Sequence, residues 1–367
     1  MRIVIAPDSL KGGPGAAAAA GAIAAGWRGH RPDDQVTLVP LADGGEGTLD
    51  AVDAAVSGAK RHHLTGVTGP DGRQVATSFL VLDDGTAVVE LAAACGLPLM
   101  RELDPLAAHT IGLGEVIAAA LATGARSLAI GVGGSASTDA GMGALTALGL
   151  RLLDGEGAEL PPGGAALRRV HRVDDTALTP PPQGGVEVLT DVASPLTGPD
   201  GAAAVFGPQK GASPDDVKVL DAALTHLAGH LGGDPGAPGA GAAGGAGYGF
   251  ATLWGARLRS GSEAIAGLVG LDEAVAEADL VITGEGWLDA TSFVGKVVGA
   301  VTGTARRHGT PLAVVAGGAE PGIAEGHDVE VVTLTGLAGG VDASLRDPVT
   351  YLRQAGAVLA ERWAPPR

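Results

Sequence analysis

Residues 127–150 of the chain read SLAIGVGGSASTDAGMGALTALGL, and this stretch decides the class of fold. The apolar run at 127–131 predicts a strand, and the polar, glycine-rich run at 133–139 predicts a loop. The alanine- and leucine-rich residues 141–150 then predict a helix. A strand, a glycine-containing loop and a helix in this order are typical of α/β proteins.

The same order of patterns recurs elsewhere in the chain. Strands are predicted at 3–6, 35–40 and 280–283, each followed by a polar loop that contains glycine. Helices are predicted after these loops, at 16–29, 48–56 and 293–307. Two further strands are predicted at 312–316 and 329–334. Ligands of such folds bind beyond the carboxyl ends of the strands, so we expect the loops to converge on one cleft.

The segments between these units have another character. Residues 61–67, 75–82 and 86–91 predict antiparallel strands, whereas residues 152–261 are rich in glycine and proline and contain one clear strand. Residues 234–249 consist almost entirely of glycine, alanine and proline. They are compatible with a flexible linker or with a loop drawn over a ligand, and the pattern does not choose between the two.

These patterns predict an α/β protein of two domains. The first is a doubly wound, Rossmann-like parallel-sheet domain formed by residues 1–60, 110–150 and 270–367. The second is an inserted, smaller α/β domain formed by residues 61–109 and 151–269. We expect the active-site cleft to lie between the two domains.

The composition excludes several classes of partner. Lys and Arg number 24 against 41 Asp and Glu, and the net charge of −17 disfavours nucleic acid and anionic membrane surfaces. The single cysteine, Cys95, excludes an intramolecular disulfide and a cysteine-rich zinc site. No targeting segment is recognisable, so we expect a cytoplasmic protein. The oligomeric state has no signature in the sequence.

The predicted strand-end loops combine carboxylates with glycines. Glycines let the backbone approach a ligand and turn its N–H groups towards an anion. Carboxylates in the same place would repel phosphate unless a divalent metal ion lay between them, so the combination suggests a magnesium nucleotide or a phosphorylated ligand. Residues 131–135 do not spell the dinucleotide pattern G-x-G-x-x-G, and no P-loop sequence occurs, so the glycines alone are weak evidence.

Two lysines stand out in a chain that contains few. Lys11 follows the first predicted strand, and Lys296 follows the loop at residues 284–289. We expect Ser292 to cap a helix that carries Lys296 in its first turn. A solvated surface charge is the alternative for each lysine.

Together these loops resemble those of the class I glycerate kinases over nearly the whole chain. The resemblance is carried by residues 5–12, 40–48, 133–141, 190–192 with 195–196, 206–212 and 282–296. The chain departs from the family pattern at residues 13–15, at Ala140 and at Thr291. The resemblance implies a glycerate kinase, which transfers phosphate from ATP to D-glycerate with the help of Mg²⁺ in a two-domain fold. It favours 2-phosphoglycerate over 3-phosphoglycerate as the product.

Two alternatives belong to other classes of function. A nucleotide-dependent oxidoreductase would suit the doubly wound domain, but the dinucleotide pattern is missing. A sensor with the kinase fold would bind a small organic acid or a nucleotide without catalysis. Loss of Asp191, Glu285 or Lys296 would favour the sensor, and all three residues are present.

On this basis we assign the following roles. Asp191 is the general base, and Lys296 neutralises charge on the transferred phosphoryl group. Glu285 and Asp289 are the metal ligands. ATP is bound by Gly133, Gly134, Ser135, Ser137, Thr138, Asp139, Gly284 and Gly286. Glycerate is bound by Asp8, Ser9, Lys11, Asp43, Gly44 and Glu46, with Lys11 facing its carboxylate. Residues 206–210 are placed either to contact the substrate or to form a loop packed by Phe206.

Overall fold

The computed structural model describes residues 1–10, 12–324, 327 and 329–363. The strands are β1 (Arg2–Pro7), β2 (Gln35–Leu38), β3 (Lys60–Thr68), β4 (Gln74–Val81), β5 (Thr86–Glu90), β6 (Ser127–Gly131), β7 (Arg151–Leu153), β8 (Arg172–Asp174), β9 (Val186–Leu189), β10 (Arg257–Arg259), β11 (Leu280–Leu288), β12 (Leu312–Ala319) and β13 (Glu330–Thr333). Strands and helices alternate along much of the chain, so the predicted α/β class is confirmed.

The helices complete the description of the elements. They are α1 (Ala16–His30), α2 (Thr48–Ala55), α3 (Leu91–Cys95), α4 (Ile111–Ala122), α5 (Met142–Ala147), α6 (Ala202–Phe206), α7 (Pro214–Leu231), α8 (Ala242–Trp254), α9 (Gly261–Leu268), α10 (Leu271–Ala276), α11 (Val297–His308), α12 (Leu334–Ala338), α13 (Val341–Arg346) and α14 (Pro348–Arg362). Short 3-10 turns lie at Leu97–Leu99, Gly164–Arg169, Pro208–Lys210 and Ala290–Phe293. Among these helices none is both long and apolar enough to cross a membrane.

The chain divides into two compact units. Unit 1 contains Met1–Asp43, Asp50–Ser57 and Ser260–Arg367, and unit 2 contains Gly44–Leu49 and Gly58–Arg259. The largest difference from the predicted boundaries concerns residues 110–150, which lie in unit 2 and not in the Rossmann-like domain. The reason is that β6 pairs with β5 and β9, so this strand belongs to the sheet of unit 2. Residues 44–49 also lie in unit 2, and residues 260–269 lie in unit 1.

Unit 1 is built on a five-stranded parallel sheet with the order β13-β12-β11-β1-β2. Its largest hydrophobic cluster combines strand residues such as Ile3 with residues of α1 and α14. These two helices touch backbone to backbone, because a Cβ on Gly26 would lie 1.8 Å from the carbonyl oxygen of Arg353. The parallel strands direct their carboxyl ends to one edge of the sheet, and the acidic loops begin there.

Unit 2 contains a mixed six-stranded sheet with the order β10-β9-β6-β5-β4-β3. The first four strands of this order are parallel, and β4 and β3 are added in antiparallel pairs. The antiparallel part corresponds to the strands predicted between residues 61 and 91. Cys95 ends α3 as a free, fully buried thiol in the hydrophobic core of this unit.

The glycine-rich residues 234–249 lie in unit 2 and are not a flexible linker. Ala240, Ala246 and Tyr248 are buried in the core. A Cβ on Gly244 would lie 2.2 Å from the carbonyl oxygen of Ser137, and one on Gly249 would lie 2.0 Å from that of Ala140. The small residues therefore let this segment pack directly on the backbone that follows β6.

Candidate functional sites in the two units

Unit 1 brings carboxylates together at the carboxyl ends of its strands. Asp8 directly follows β1, and its N–H donates to the carbonyl oxygen of Gly284 in β11 at 2.8 Å. The pKa of Asp8 is raised to about 7, mainly by burial and also by the negative charges of Asp43 and Glu285. Hydrogen bonds from Ser9 act in the opposite direction. Three acidic side chains therefore interact here, and the pKa of Asp8 lies close to neutrality.

Glu285 has the incomplete hydrogen bonding expected of a ligand-binding carboxylate. Its Oε1 atom is buried and has no hydrogen-bond partner among the described residues. Burial is the main reason that the pKa of Glu285 is raised, whereas Ser292 and the charge of Lys296 act to lower it. Such an oxygen fits a cation better than it fits the protein interior.

The described residues contain no group of three or more His, Cys, Asp or Glu side chains placed to hold a metal ion on their own. Mg²⁺ commonly keeps water and takes phosphate oxygens beside one or two carboxylates. Glu285 fits this mode of binding. Asp289, the other predicted metal ligand, accepts hydrogen bonds at Oδ1 from the N–H groups of Thr291 and Ser292, at 2.8 and 3.1 Å. That oxygen caps the 3-10 turn Ala290–Phe293.

The segment around Lys296 differs from the prediction in two ways. The strand β11 continues to Leu288, so Gly284 and Gly286 lie in a strand and not in a loop. The cause is the pairing of β11 with β12, which extends to the pair Leu288 and Ala319. Ser292 does not cap the following helix, because α11 begins at Val297 and Lys296 itself is its N-cap residue. Lys296 is exposed, and its Nζ donates to Thr291 Oγ1 at 3.1 Å.

Unit 2 brings other predicted residues together beyond β6 and β9. The N–H of Gly133 donates to the carbonyl oxygen of Gly44 at 3.1 Å, and a Cβ on Gly133 would lie 2.5 Å from the Cα of Gly45. A Cβ on Gly44 would lie 2.8 Å from the carbonyl oxygen of Leu189, the last residue of β9. Asp191 is partly buried two residues further on, and Glu46 is exposed.

The loop 133–139 offers backbone rather than hydroxyl groups to a ligand. Gly133 is partly accessible and Gly134 is exposed. Ser135, Ser137 and Thr138, which we predicted as ATP ligands, are buried. Ser135 Oγ and Ser137 Oγ bond each other at 3.1 Å, and Thr138 Oγ1 has no hydrogen-bond partner among the described residues.

The carboxylate of Asp139 is used within unit 2. Its Oδ2 accepts hydrogen bonds from the N–H and the hydroxyl of Thr110, both at 2.8 Å, and from the N–H of Gly143 at 3.2 Å. Its Oδ1 accepts from the N–H of Gly141 at 3.2 Å. Asp139 is 1% exposed. It therefore holds the start of α4 and α5 against the loop.

Sequence reasoning missed Glu90 and the burial of Lys210. Glu90 ends β5, is 6% exposed, and accepts hydrogen bonds from the N–H groups of Gly47 and Leu49, at 3.2 and 3.0 Å. A carboxylate directly after the apolar run of β5 was the available sign. Lys210 is buried, and its Nζ donates to the carbonyl oxygen of Ser137. No pattern in residues 206–212 indicated this.

The predicted site residues thus fall into two sets, one in each unit. Unit 1 holds Asp8, Ser9, Asp43, Gly284, Glu285, Gly286, Asp289 and Lys296. Unit 2 holds Gly44, Glu46, Gly133, Gly134, Ser135, Ser137, Thr138, Asp139 and Asp191. Lys11 lies outside the described residues.

Comparison with known proteins identifies similar chains over most of the length of this chain. The family described as "Glycerate kinase family" matches residues 3–364. The glycerate 2-kinase of Escherichia coli (strain K12) is 42% identical over 376 residues, which cover 98% of this chain and 97% of that protein. The glycerate kinase of Bacillus subtilis (strain 168) is 43% identical, with 86% and 85% covered. A crystal structure of a candidate glycerate kinase 2 from Salmonella typhimurium LT2 superimposes with a TM-score of 0.83 at 39% identity and covers 98% of this chain and 97% of its own.

Proposed function

Because the chain belongs to the glycerate kinase family, we propose that it phosphorylates D-glycerate with ATP and Mg²⁺ and releases 2-phosphoglycerate. The chain is accordingly a kinase, an enzyme that transfers a phosphoryl group to an alcohol. The observation that carries the proposal is the family match over residues 3–364. The name of the Escherichia coli relative, a glycerate 2-kinase, supports the choice of product.

Phosphoryl transfer requires positioning, neutralisation of negative charge and a base for the acceptor hydroxyl. We assign the base to Asp191, which follows β9, and the binding of glycerate to Asp8 and Ser9 with the loop at Asp43, Gly44 and Glu46. Asp8 has a second capability, because a carboxyl group with a pKa of about 7 also exchanges protons near neutrality.

The phosphates of ATP and the metal are assigned to different residues. The accessible backbone of Gly133 and Gly134 is proposed to receive phosphate oxygens. Glu285, with its unpartnered Oε1, is the first candidate ligand for Mg²⁺, and Asp289 is the second. When bound, Mg²⁺ would neutralise charge on the phosphate oxygens. Lys296 supplies a positive charge close enough to affect Glu285, which supports its role beside the transferred group.

The direct test is a coupled assay of ADP release from Mg-ATP with D-glycerate, with L-glycerate and lactate as comparison acceptors. We expect release of ADP only when D-glycerate is present. Phosphorus NMR of the product then distinguishes 2-phosphoglycerate from 3-phosphoglycerate. Absence of glycerate-dependent release with any common nucleotide and divalent metal would contradict the kinase and favour a sensor that binds without catalysis. A 3-phosphoglycerate product would overturn the position of transfer alone.

The proposed base is tested by Asp191→Asn, which keeps the size of the side chain and removes its basicity. We expect kcat to fall by roughly 10²- to 10⁴-fold with nearly unchanged ATP binding. The exposed Asp175, in the same unit, provides the control variant Asp175→Asn, which should leave kcat unchanged. If Asp8→Asn shows the loss in kcat and Asp191→Asn does not, the base is Asp8. If excess metal restores the kcat of Asp191→Asn, Asp191 is a metal ligand.

A further inference from the structure

Lys210 is a buried ammonium group for which the reaction as proposed above has no use. It is one of five lysines in the chain, ends the 3-10 turn Pro208–Lys210, and is 3% exposed. Its Nζ donates to the carbonyl oxygen of Ser137, in the loop that follows β6. Burial lowers the pKa of Lys210 to about 8, and the charge of Asp139 opposes that shift. Burial of a charge is costly unless it is paired and hydrogen-bonded, so this arrangement calls for an explanation.

The loop is held on other sides as well. Asp139 binds Thr110 and the N–H groups of Gly141 and Gly143, as described above. The N–H of Ala140 donates to the carbonyl oxygen of Gly244 at 2.9 Å. Ser137 and its neighbours are therefore fixed by the 3-10 turn, by α4 and by the glycine-rich segment. Gly133 and Gly134 remain the accessible part of the same loop.

We propose that Lys210 is a positioning residue for ATP, which fixes through the Ser137 carbonyl the loop conformation in which Gly133 and Gly134 receive the phosphates. This inference rests on the proposed function, in which the loop 133–139 binds the nucleotide. Lys210 does not touch the ligand. Its contribution is to hold the loop in one conformation before ATP arrives, so its loss weakens the binding of ATP more than that of glycerate.

The test compares Lys210→Met with a matched control. Met is apolar and of similar length, so the variant removes the charge and the donor with little change in volume. The control is Lys218→Met, because Lys218 lies in the same unit on α7, is exposed, and pairs only with the exposed Asp215 in the described part of the chain. For Lys210→Met we expect the KM for ATP and the Kd for Mg-ATP to rise about tenfold, with a smaller change in the KM for glycerate, so that the ratio of the two KM values changes. For Lys218→Met we expect no change in any of these three constants.

A structural role alone would give another pattern. It would lower the thermal midpoint or the active fraction and leave the ratio of the two KM values unchanged, and that result overturns the proposal. A rise in the KM for glycerate alone also overturns it. If Lys210→Met does not fold, the same ratio is measured for Lys210→Gln, which keeps a shorter donor; an intermediate rise supports the proposal, and an unchanged ratio contradicts it. If neither variant folds, Lys210 is structural and the proposal is overturned.

The result is separable from the proposed function. A wild-type protein without glycerate-dependent ADP release fails the proposed function, whatever the variants do. The Kd for Mg-ATP, measured by calorimetry on wild type and Lys210→Met, then still decides whether Lys210 supports nucleotide binding. A wild type that turns over, with variants of unchanged Kd, overturns only the role of Lys210.

Discussion

The two units bury carboxylates in opposite ways. In unit 2 the carboxylate of Asp139 accepts four hydrogen bonds and has the ammonium of Lys210 near it. In unit 1 the charges of Asp43 and Glu285 contribute to the raised pKa of Asp8, and Glu285 Oε1 has no hydrogen-bond partner among the described residues. Burial raises the pKa of both Asp8 and Glu285.

This difference teaches how to separate structural from ligand-binding carboxylates. A buried carboxylate whose hydrogen-bonding capacity is filled by the protein stabilises the fold and has little left for a ligand. A group of buried carboxylates without enough hydrogen-bond donors or cations is destabilised by burial and mutual repulsion until a cation binds. We predicted Asp139 as an ATP ligand because it lies in a glycine-rich loop, but its geometry favours a role in holding that loop.

The largest effect is expected from Asp139→Asn, which tests whether the hydrogen-bonded carboxylate of unit 2 stabilises the fold. The amide would place a donor among N–H groups that need an acceptor, and would remove the charge beside Lys210. We expect unit 2 to lose roughly 3–5 kcal/mol of stability, the range for breaking a buried charged network. Calorimetry of the thermal transition measures it, with the exposed Asp175→Asn as control. A transition unchanged within 0.5 kcal/mol, roughly the range of surface substitutions, would show that the network does not stabilise unit 2.

A second test uses the pKa of Asp8. Its pKa is near 3.8 in the unfolded chain and about 7 in the folded one, so the folded protein binds the proton more tightly. The resulting stabilisation is complete below pH 4 and is lost as the pH rises to 7. The stability of Asp8→Asn does not depend on pH in this way. Without metal, we therefore expect its free energy of unfolding, relative to that of wild type, to rise by up to about 4 kcal/mol between pH 4 and pH 8.

The measurement for Asp8→Asn is the difference in thermal midpoint between variant and wild type, at several pH values in the presence of a chelator. A difference that does not change with pH would show that Asp8 ionises normally in the folded state. Added Mg²⁺ should reduce the difference at pH 8, because a cation stabilises the charged carboxylates of the wild type.

The smallest expected effect concerns the metal. Glu285→Gln keeps an oxygen but removes the charge, so we expect the Mg²⁺ concentration for half-maximal activity to rise about tenfold, and excess Mg²⁺ or Mn²⁺ to restore turnover. The control is Glu277→Gln, because Glu277 lies in unit 1, is exposed and pairs with the exposed Arg2. An unchanged Mg²⁺ requirement in Glu285→Gln would remove Glu285 from the metal site.

Local patterns in the sequence were sufficient for the elements that depend on local chemistry. The apolar run and the glycine-rich loop at 127–139 predicted β6 and its loop, and the carboxylates at strand ends predicted the acidic cluster of unit 1. Side chains near one another in the chain determine β6 and its loop. The acidic cluster joins residues that are far apart in the chain, and it was predictable because the carboxyl ends of parallel strands meet at one edge of the sheet.

Properties that depend on distant partners were not predictable in this way. The extension of β11 through Gly284 and Gly286 depends on β12, whose backbone approaches so closely that a Cβ on Gly284 would lie 2.2 Å from the carbonyl oxygen of Val315. The assignment of residues 110–150 depends on which sheet β6 joins. The burial of Lys210 depends on a carbonyl 73 residues earlier in the chain.

Cys95 allows the opening of unit 2 to be followed by a chemical reaction. The thiol is 0% exposed, and burial raises its pKa to about 12, so almost none of it is thiolate in the folded protein at pH 8. An alkylating reagent can therefore react only when the core around α3 opens. Because unit 1 contains no cysteine, the rate of alkylation measures the opening of one half of the chain, without an engineered label and without interference from the other half.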